Sequence, residues 1–299
     1  IDSEHGYPQG TGWYDANTYA NFSVTDPDLQ GGTRYLFTGW SGAYSSSKAS
    51  GSIYMSGPKI IHASWEIQHF LTVRNSEHGE VTGEGWYDEG QSAVFSVKST
   101  IVPETEHTRY IFSGWEGTGT GSYSGNDQSH SLIMNHPIIE KVKWTRQYFL
   151  STQENPDNGG DIIPAPPGDW YNENEDAEIK ALPANSYKFL FWTGDILGPN
   201  NPYIKKMTSP TAATAHFSRI IEVTIQTNPP GFSFYADKEK YTAPHTFNWA
   251  KGTTHIIKAD SFNLVDTGIR YEYNQWSDGG AIEHQYTVPE NNTTITVDF

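Results

Sequence analysis

Apolar and polar positions largely alternate along this chain. In Gln68-His69-Phe70-Leu71-Thr72-Val73 and Ser92-Ala93-Val94-Phe95-Ser96-Val97 the period is two, as a strand with one buried face requires. No stretch places apolar residues at i, i+3, i+4 and i+7 over three turns, so no helix is expected. Turn-forming segments such as Gly117-Thr118-Gly119-Thr120-Gly121 and Glu154-Asn155-Pro156-Asp157-Asn158-Gly159-Gly160 separate the strands. Short strands with such frequent turn signals predict small antiparallel β-sandwiches.

The pattern repeats. Gly12-Trp13-Tyr14-Asp15 returns as Gly85-Trp86-Tyr87-Asp88 and, more loosely, as Asp169-Trp170-Tyr171-Asn172. Downstream, Thr33-Arg34-Tyr35-Leu36-Phe37-Thr38-Gly39-Trp40 matches Thr108-Arg109-Tyr110-Ile111-Phe112-Ser113-Gly114-Trp115, and the series continues through Tyr187–Trp192 and Arg270–Trp276. Each copy closes on an alternating segment ending in an aromatic: Trp65, Trp144, Phe217 and Phe299. The period of about 75 to 80 residues divides the chain into four copies, 1–67, 68–146, 147–219 and 220–299. Repeats of this length each own a core. The boundaries Glu66-Ile67-Gln68 and Thr145-Arg146-Gln147 leave little slack. The expected fold is therefore all-β: four tandem Ig-like sandwiches in an elongated rod.

Asp2-Ser3-Glu4-His5-Gly6 lines up with Asn75-Ser76-Glu77-His78-Gly79, so Ile1 falls on Arg74 and the strand Gln68–Val73 has no counterpart in copy one. Two readings follow: the strand lies upstream in a longer array, or a neighbouring molecule donates it to the exposed edge. For assembly end to end, the strand-shaped residues at the two ends, Ile1, Asp2 and Gly6 with Thr293, Ile295, Val297 and Phe299, are the candidate interface. A head-to-tail contact of that kind repeats without closing.

Composition narrows the function. With 299 residues, no Cys and a formal net charge of −16, the chain lacks thiolate chemistry and disulfides. Its 19 Lys and Arg against 35 Asp and Glu argue against nucleic acid as a partner. No apolar run approaches the roughly 20 residues of a membrane span.

Nor does the chain carry a catalytic set. Leu264-Val265-Asp266-Thr267-Gly268 resembles the aspartic protease motif, but that chemistry needs two carboxylates sharing a proton and no second Asp-Thr/Ser-Gly occurs. His5 and His78 follow Glu4 and Glu77 at equivalent turns, which suggests a local turn interaction rather than a metal site. Asp26-Pro27-Asp28 and Asp157-Asn158-Gly159-Gly160-Asp161 offer hard oxygens for calcium, without EF-hand spacing, against a reading as solvated turns. Nine of the 10 Trp recur at repeat positions, as core residues would. Trp249, with Phe247, stands outside that frame and is the candidate for stacking on a sugar. Sequons at Asn21, Asn291 and Asn292 are candidate glycosylation sites.

The pairing of Gly85–Asp88 with Arg109–Trp115 resembles the internalin-type B-repeat of surface proteins and adhesins, across copies one to three. Copy four is different. Thr227-Asn228-Pro229-Pro230-Gly231, Phe234-Tyr235-Ala236-Asp237 and Tyr241-Thr242-Ala243-Pro244 resemble the PEGA surface-layer module, with Lys238 where a Gly usually follows the Asp. These resemblances imply no catalytic residues and no cofactor. They imply a spacer, scaffold or adhesive role outside the cell, and with the incomplete first copy the leading expectation is a non-enzymatic extracellular structural protein, a cell-surface or filament subunit assembling end to end with copies of itself. The alternative they leave open is an adhesin module binding surface glycans or other surface proteins.

Overall fold

A computed structural model describes residues 1–74 and 78–299; Asn75, Ser76 and Glu77, which the alignment of copy two uses, lie outside the described residues. The described chain is all-β and contains no helix. Its contacts divide it into two compact units, Ile1–Gln147 and Tyr148–Phe299.

The first unit holds two cores. Phe22, Val24, Phe37, Trp40 and Ile61 form one. Leu71, Val73, Ala93, Phe95, Val97 and Trp115 are central to the other. The alternation read from the sequence sets these faces: Ala93, Phe95 and Val97 are buried along Ser92–Val97 while Val94 is exposed. In Thr33–Gly42, paired antiparallel with the following long strand, the register slips between Phe37 and Gly39. Such a bulge shifts the alternation, and here Phe37 and Trp40, three residues apart, both enter the core.

That long strand, Ile61–Arg74, serves both cores. Its first half closes the first repeat and its second half sends Leu71 and Val73 into the second. The second half pairs antiparallel with Gly85–Asp88 and parallel with Ile138–Lys141, the closing segment of the second repeat. The opening and closing strands of a repeat therefore run in the same direction. This is an addition to the purely antiparallel sandwich expected, and it has a simple cause. A chain that leaves a repeat in the direction it entered can begin the next one without a turn.

The second unit is built the same way. Tyr148, Leu150, Ile162, Ile179, Trp192 and Phe217 lie in its first core. Ile221, Val223, Ile225, Phe234, Trp276 and Ile295 lie in its second. Thr211–Asn228 is the shared strand. It pairs antiparallel with Tyr187–Gly194 at its start and parallel with Thr293–Asp298 at its end. In the last repeat Asp237 and Lys238 take φ of 50° and 76° between Ser233–Ala236 and Glu239–Thr242. Lys238 thus adopts the left-handed conformation that a two-residue hairpin demands and that Gly enters more cheaply.

The Trp that ends the second motif is buried in every core: Trp40 at 3% exposure, and Trp115, Trp192 and Trp276 at 1%. Each indole N–H donates to a carbonyl on the loop that follows: Lys48 at 3.1 Å, Asp127 at 3.0 Å, Asn200 at 2.9 Å and Ile282 at 3.3 Å. The bond removes the penalty of burying a polar N–H and pins the loop over the core.

Candidate functional site

The ends proposed from sequence as an interface are largely committed to their own repeats. Ile1 packs on the first core. The Asp2 amide donates to the Ile61 carbonyl at 2.9 Å, and its carboxylate lies 2.8 Å from His62 Nδ1. Gly6 is buried with φ of 77°, and a Cβ there would collide with the Trp65 indole. Its amide donates to Asp28 at 3.0 Å. Asp2 pairs in parallel with His62, as Arg74 pairs with Lys141 in the second repeat. Ile1 therefore stands at the place of Val73, one residue away from the sequence alignment. At the other end Ile295 and Val297 are buried in the last core. Thr293–Asp298 is flanked on both sides, by Val223–Asn228 and by Gln275–Trp276. Phe299 packs edge-on against Phe232 with ring centroids 5.3 Å apart.

Trp249 sits opposite Ile221 as Tyr87 sits opposite His69, so it takes the structural position of the motif tyrosine. Phe247 stacks on it at 4.4 Å and 13°, and His255 at 3.9 Å and 9°. Two rings at such spacings cannot share one face of an indole, so both faces are covered. His255 is held in turn by Asp237, 2.6 Å away. Desolvation raises the Asp237 pKa, but hydrogen bonds from His255 and the Ile256 amide outweigh it and leave the carboxyl below its ordinary value.

His5, His78, Asp26 and Asp28 are engaged locally. His5 stacks on Tyr35 at 3.5 Å, and His78 on Tyr110 at 3.5 Å. Asp26 accepts from the Phe37 amide at 3.0 Å, and the buried Asp28 accepts from Gln30 as well as Gly6. Gly159 donates to Pro156 at 2.9 Å within the Asp157–Asp161 turn. Among the described residues no three His, Cys, Asp or Glu side chains converge as metal ligands do. Asp266 and Thr267 lie in an exposed hairpin formed by Phe262–Asp266 and Ile269–Glu272. Asn21, Asn291 and Asn292 are exposed, and Asn292 accepts from the Glu222 amide at 3.0 Å.

One titratable group has no counterpart in the other repeats. Glu140 is fully buried where the equivalent residues are Ile61, Ala213 and Ile295. Its Oε1 accepts from the Tyr123 amide at 2.7 Å, while Oε2 has no partner. Burial pushes this carboxyl above its usual range; the Tyr123 N–H and the nearby His130 offset part of the effect. Between the core Trp and its carbonyl partner lie Trp115–Asp127 in this repeat but only Trp40–Lys48 in the first. The longer loop leaves a half-buried amide at Tyr123, and Glu140 satisfies it.

The junction between the first two repeats is the feature that sequence reading missed. Arg34 Nε donates to Gln68 Oε1 at 2.7 Å, and Gln68 Nε2 donates to Asp88 Oδ1 at 2.7 Å. The Arg34 guanidinium lies 4.5 Å over the Trp86 ring, which also meets Phe70 at 5.1 Å. Hairpin, shared strand and first motif are thereby fastened in one row. In the second repeat Arg109 Nε donates to Gln147 Oε1 at 2.8 Å, repeating the Arg–Gln pair. The signal lay in the repeat frame rather than in a fixed spacing: Arg34 and Gln68, 34 apart, recur as Arg109 and Gln147, 38 apart.

Small aromatic-cored β-domains, linked by shared strands and bearing no metal cluster among the described residues, define a tandem-repeat protein. The family model described as divergent InlB B-repeat domain matches residues 69–147 and 150–221, more than half of the sequence. The chain belongs to the divergent InlB B-repeat family. That family is a non-catalytic repeat and adhesin type of domain, and it suggests a surface-associated repeat protein. The match leaves out residues 1–68 and 222–299, so the PEGA likeness of the last copy rests on its own residues. Comparison with curated proteins and with solved structures gave no match. Among the described residues no helix is long and apolar enough to cross a membrane.

Proposed function

We propose that this chain is a non-enzymatic structural protein of the extracellular cell surface, joined end to end with repeats of its own kind into a longer surface array or filament. The observation that carries this reading is the shared strand. Ile61–Arg74 belongs to two cores at once and is gripped on both sides along the junction, by Thr33–His69 pairing and by Gly85–Leu71 pairing. A protein built to be extended by further repeats needs a junction of this kind, because a flexible linker would let successive domains swing. Family membership supports the surface location. In such an array a strand of a neighbouring copy would run beside the Asp2–His62 bridge of the first repeat. The adhesin reading built on Trp249 has less support, since its stacking faces are occupied by Phe247 and His255.

Immunogold electron microscopy of intact producing cells tests the proposal. Label on the outer surface, arranged in rows or along fibres, is expected. Label confined to the cell interior would overturn it.

A further inference from the structure

We propose that Asn21 carries an N-linked oligosaccharide whose first sugar lies on the ring pair Tyr19 and Tyr54. It depends on the surface reading above, because Asn-x-Ser/Thr acceptors are modified on secreted chains.

Of the three sequons the fold favours one. Asn292 is committed: its Oδ1 accepts from the Glu222 amide at 3.0 Å, and its Nδ2, the atom that would bear a sugar, donates to Glu222 Oε2 at 3.4 Å. Asn291 stands in the bend before Thr293–Asp298, with no cross-strand neighbour. Asn21 lies within the strand Tyr19–Ser23, paired antiparallel with Ser50–Tyr54. Alternation buries Ala20 and Phe22 and turns Tyr19, Asn21 and Ser23 to the outer face. The Asn21 carboxamide is exposed there, without a partner among the described residues.

The face around it suits a sugar. Tyr19 and Tyr54 are cross-strand partners, 69% and 44% exposed, with ring centroids 5.4 Å apart. The Tyr54 hydroxyl donates to Asn17 Oδ1 at 3.0 Å, which steadies that ring. Ser52 stands directly across from Asn21, and Ser50 across from Ser23. No side chain of these two outward rows is charged. A pyranose presents C–H groups on its face and hydroxyls at its rim; a Tyr ring receives the first, and Ser hydroxyls bond the second. Tyr19 is two residues from Asn21, about 7 Å along the strand, so a sugar on Nδ2 reaches it.

The corresponding faces of the next two repeats lack both signals. In the second repeat Val94 stands at the place of Asn21, and Ser92 and Ile133 at those of Tyr19 and Tyr54. Ser92 and Ser131 bond each other there at 2.7 Å. In the third repeat the three places hold Glu178, Asp176 and Lys206. Acceptor and aromatic platform are therefore found together in the first repeat and are both missing from the next two.

Transfer joins C1 of the first sugar to Asn21 Nδ2. The C1–O bond of a lipid-linked oligosaccharide diphosphate breaks, the diphosphate leaves with the bonding electron pair, and the displaced amide proton passes to it. Asn21–Ser23 is paired along its length in the folded repeat, so transfer precedes closing of the sheet.

The test is mass spectrometry of the protein recovered from its producing cells, read on the tryptic peptide that contains Asn21 and ends at Arg34. That peptide should be heavier by a ladder of sugar-unit masses, and the peptide holding Asn291 and Asn292 should be unmodified. Asn21→Gln and Ser23→Ala should each abolish the added mass; Ser23→Ala keeps the asparagine itself. Enzymatic release of the glycan should lower the melting temperature, and that fall should vanish in the double variant Tyr19→Ala/Tyr54→Ala. An equal fall in both backgrounds would overturn the stacking on the tyrosines. Unmodified Asn21 in protein that immunogold places on the surface would overturn the glycan and leave the surface reading standing. Modified Asn21 in protein found only inside cells does the reverse, and unmodified protein held inside would overturn both.

Discussion

The Trp115 indole N–H donates to the Asp127 carbonyl at 3.0 Å, across a loop that begins at the tryptophan itself. The same bond is made by Trp40, Trp192 and Trp276, so each core is capped by its own following loop. Trp115→Ala should cost about 3–5 kcal/mol, the range for truncating a buried aromatic. Trp115→Phe should cost less but leave the Asp127 carbonyl short of a donor, at about 1–3 kcal/mol. Denaturant unfolding of both variants, followed through the second repeat, checks the order.

Gly79 repeats the geometry of Gly6, with φ of 68° and the Trp144 ring where a Cβ would stand, 2.6 Å away. Gly79→Ala should therefore destabilise by about 1–3 kcal/mol, through overpacking and the left-handed backbone together. A control, Gly90→Ala, shares the positive φ but meets nothing within 4 Å, and should cost less in the same melt.

Glu140 gives a pH signature. Its pKa is raised in the folded state, chiefly by desolvation. The stability it lends is fully present below the unfolded carboxyl value of about 4.3 and is lost as pH rises through the folded value. Glu140→Gln keeps an acceptor for the Tyr123 amide and cannot ionise. Wild type and variant should melt alike near about pH 4, and the variant should be the more stable at neutral pH. Equal melting at both pH values would show that the fold does not raise the carboxyl's pKa.

Trp249 is sandwiched by Phe247 and His255, so Trp249→Ala should lower the stability of the last repeat, and soluble glycans should leave its fluorescence unchanged. A saturable glycan-dependent change that disappears in Trp249→Ala would restore the sugar-binding role.

Much of this architecture is legible in the sequence, because packing is what the repeats preserve. Trp40, Trp115, Trp192 and Trp276 recur at one position, and all are buried. Alternation identified Thr293–Asp298 as a strand, but it does not report whether the strand's two edges are free; Ile295 and Val297 lie inside the last core. Trp249 looked unframed because the motif around it is gone, although its position opposite Ile221 is the tyrosine's. Glu140 sits in a run, Ile138 to Val142, that reads as an ordinary alternating strand, and only the longer loop before it explains a buried carboxyl. The Arg34–Gln68–Asp88 row joins residues from three strands, and no local pattern brings those together.

Within each unit two cores are joined by one shared strand, which suits the chain to structural work. Single-molecule pulling from the two termini tests it directly. Four unfolding events are predicted, each releasing the length of one repeat of about 75 residues, or about 25 nm at full extension. Two events of about twice that length, or a smooth extension without peaks, would contradict it.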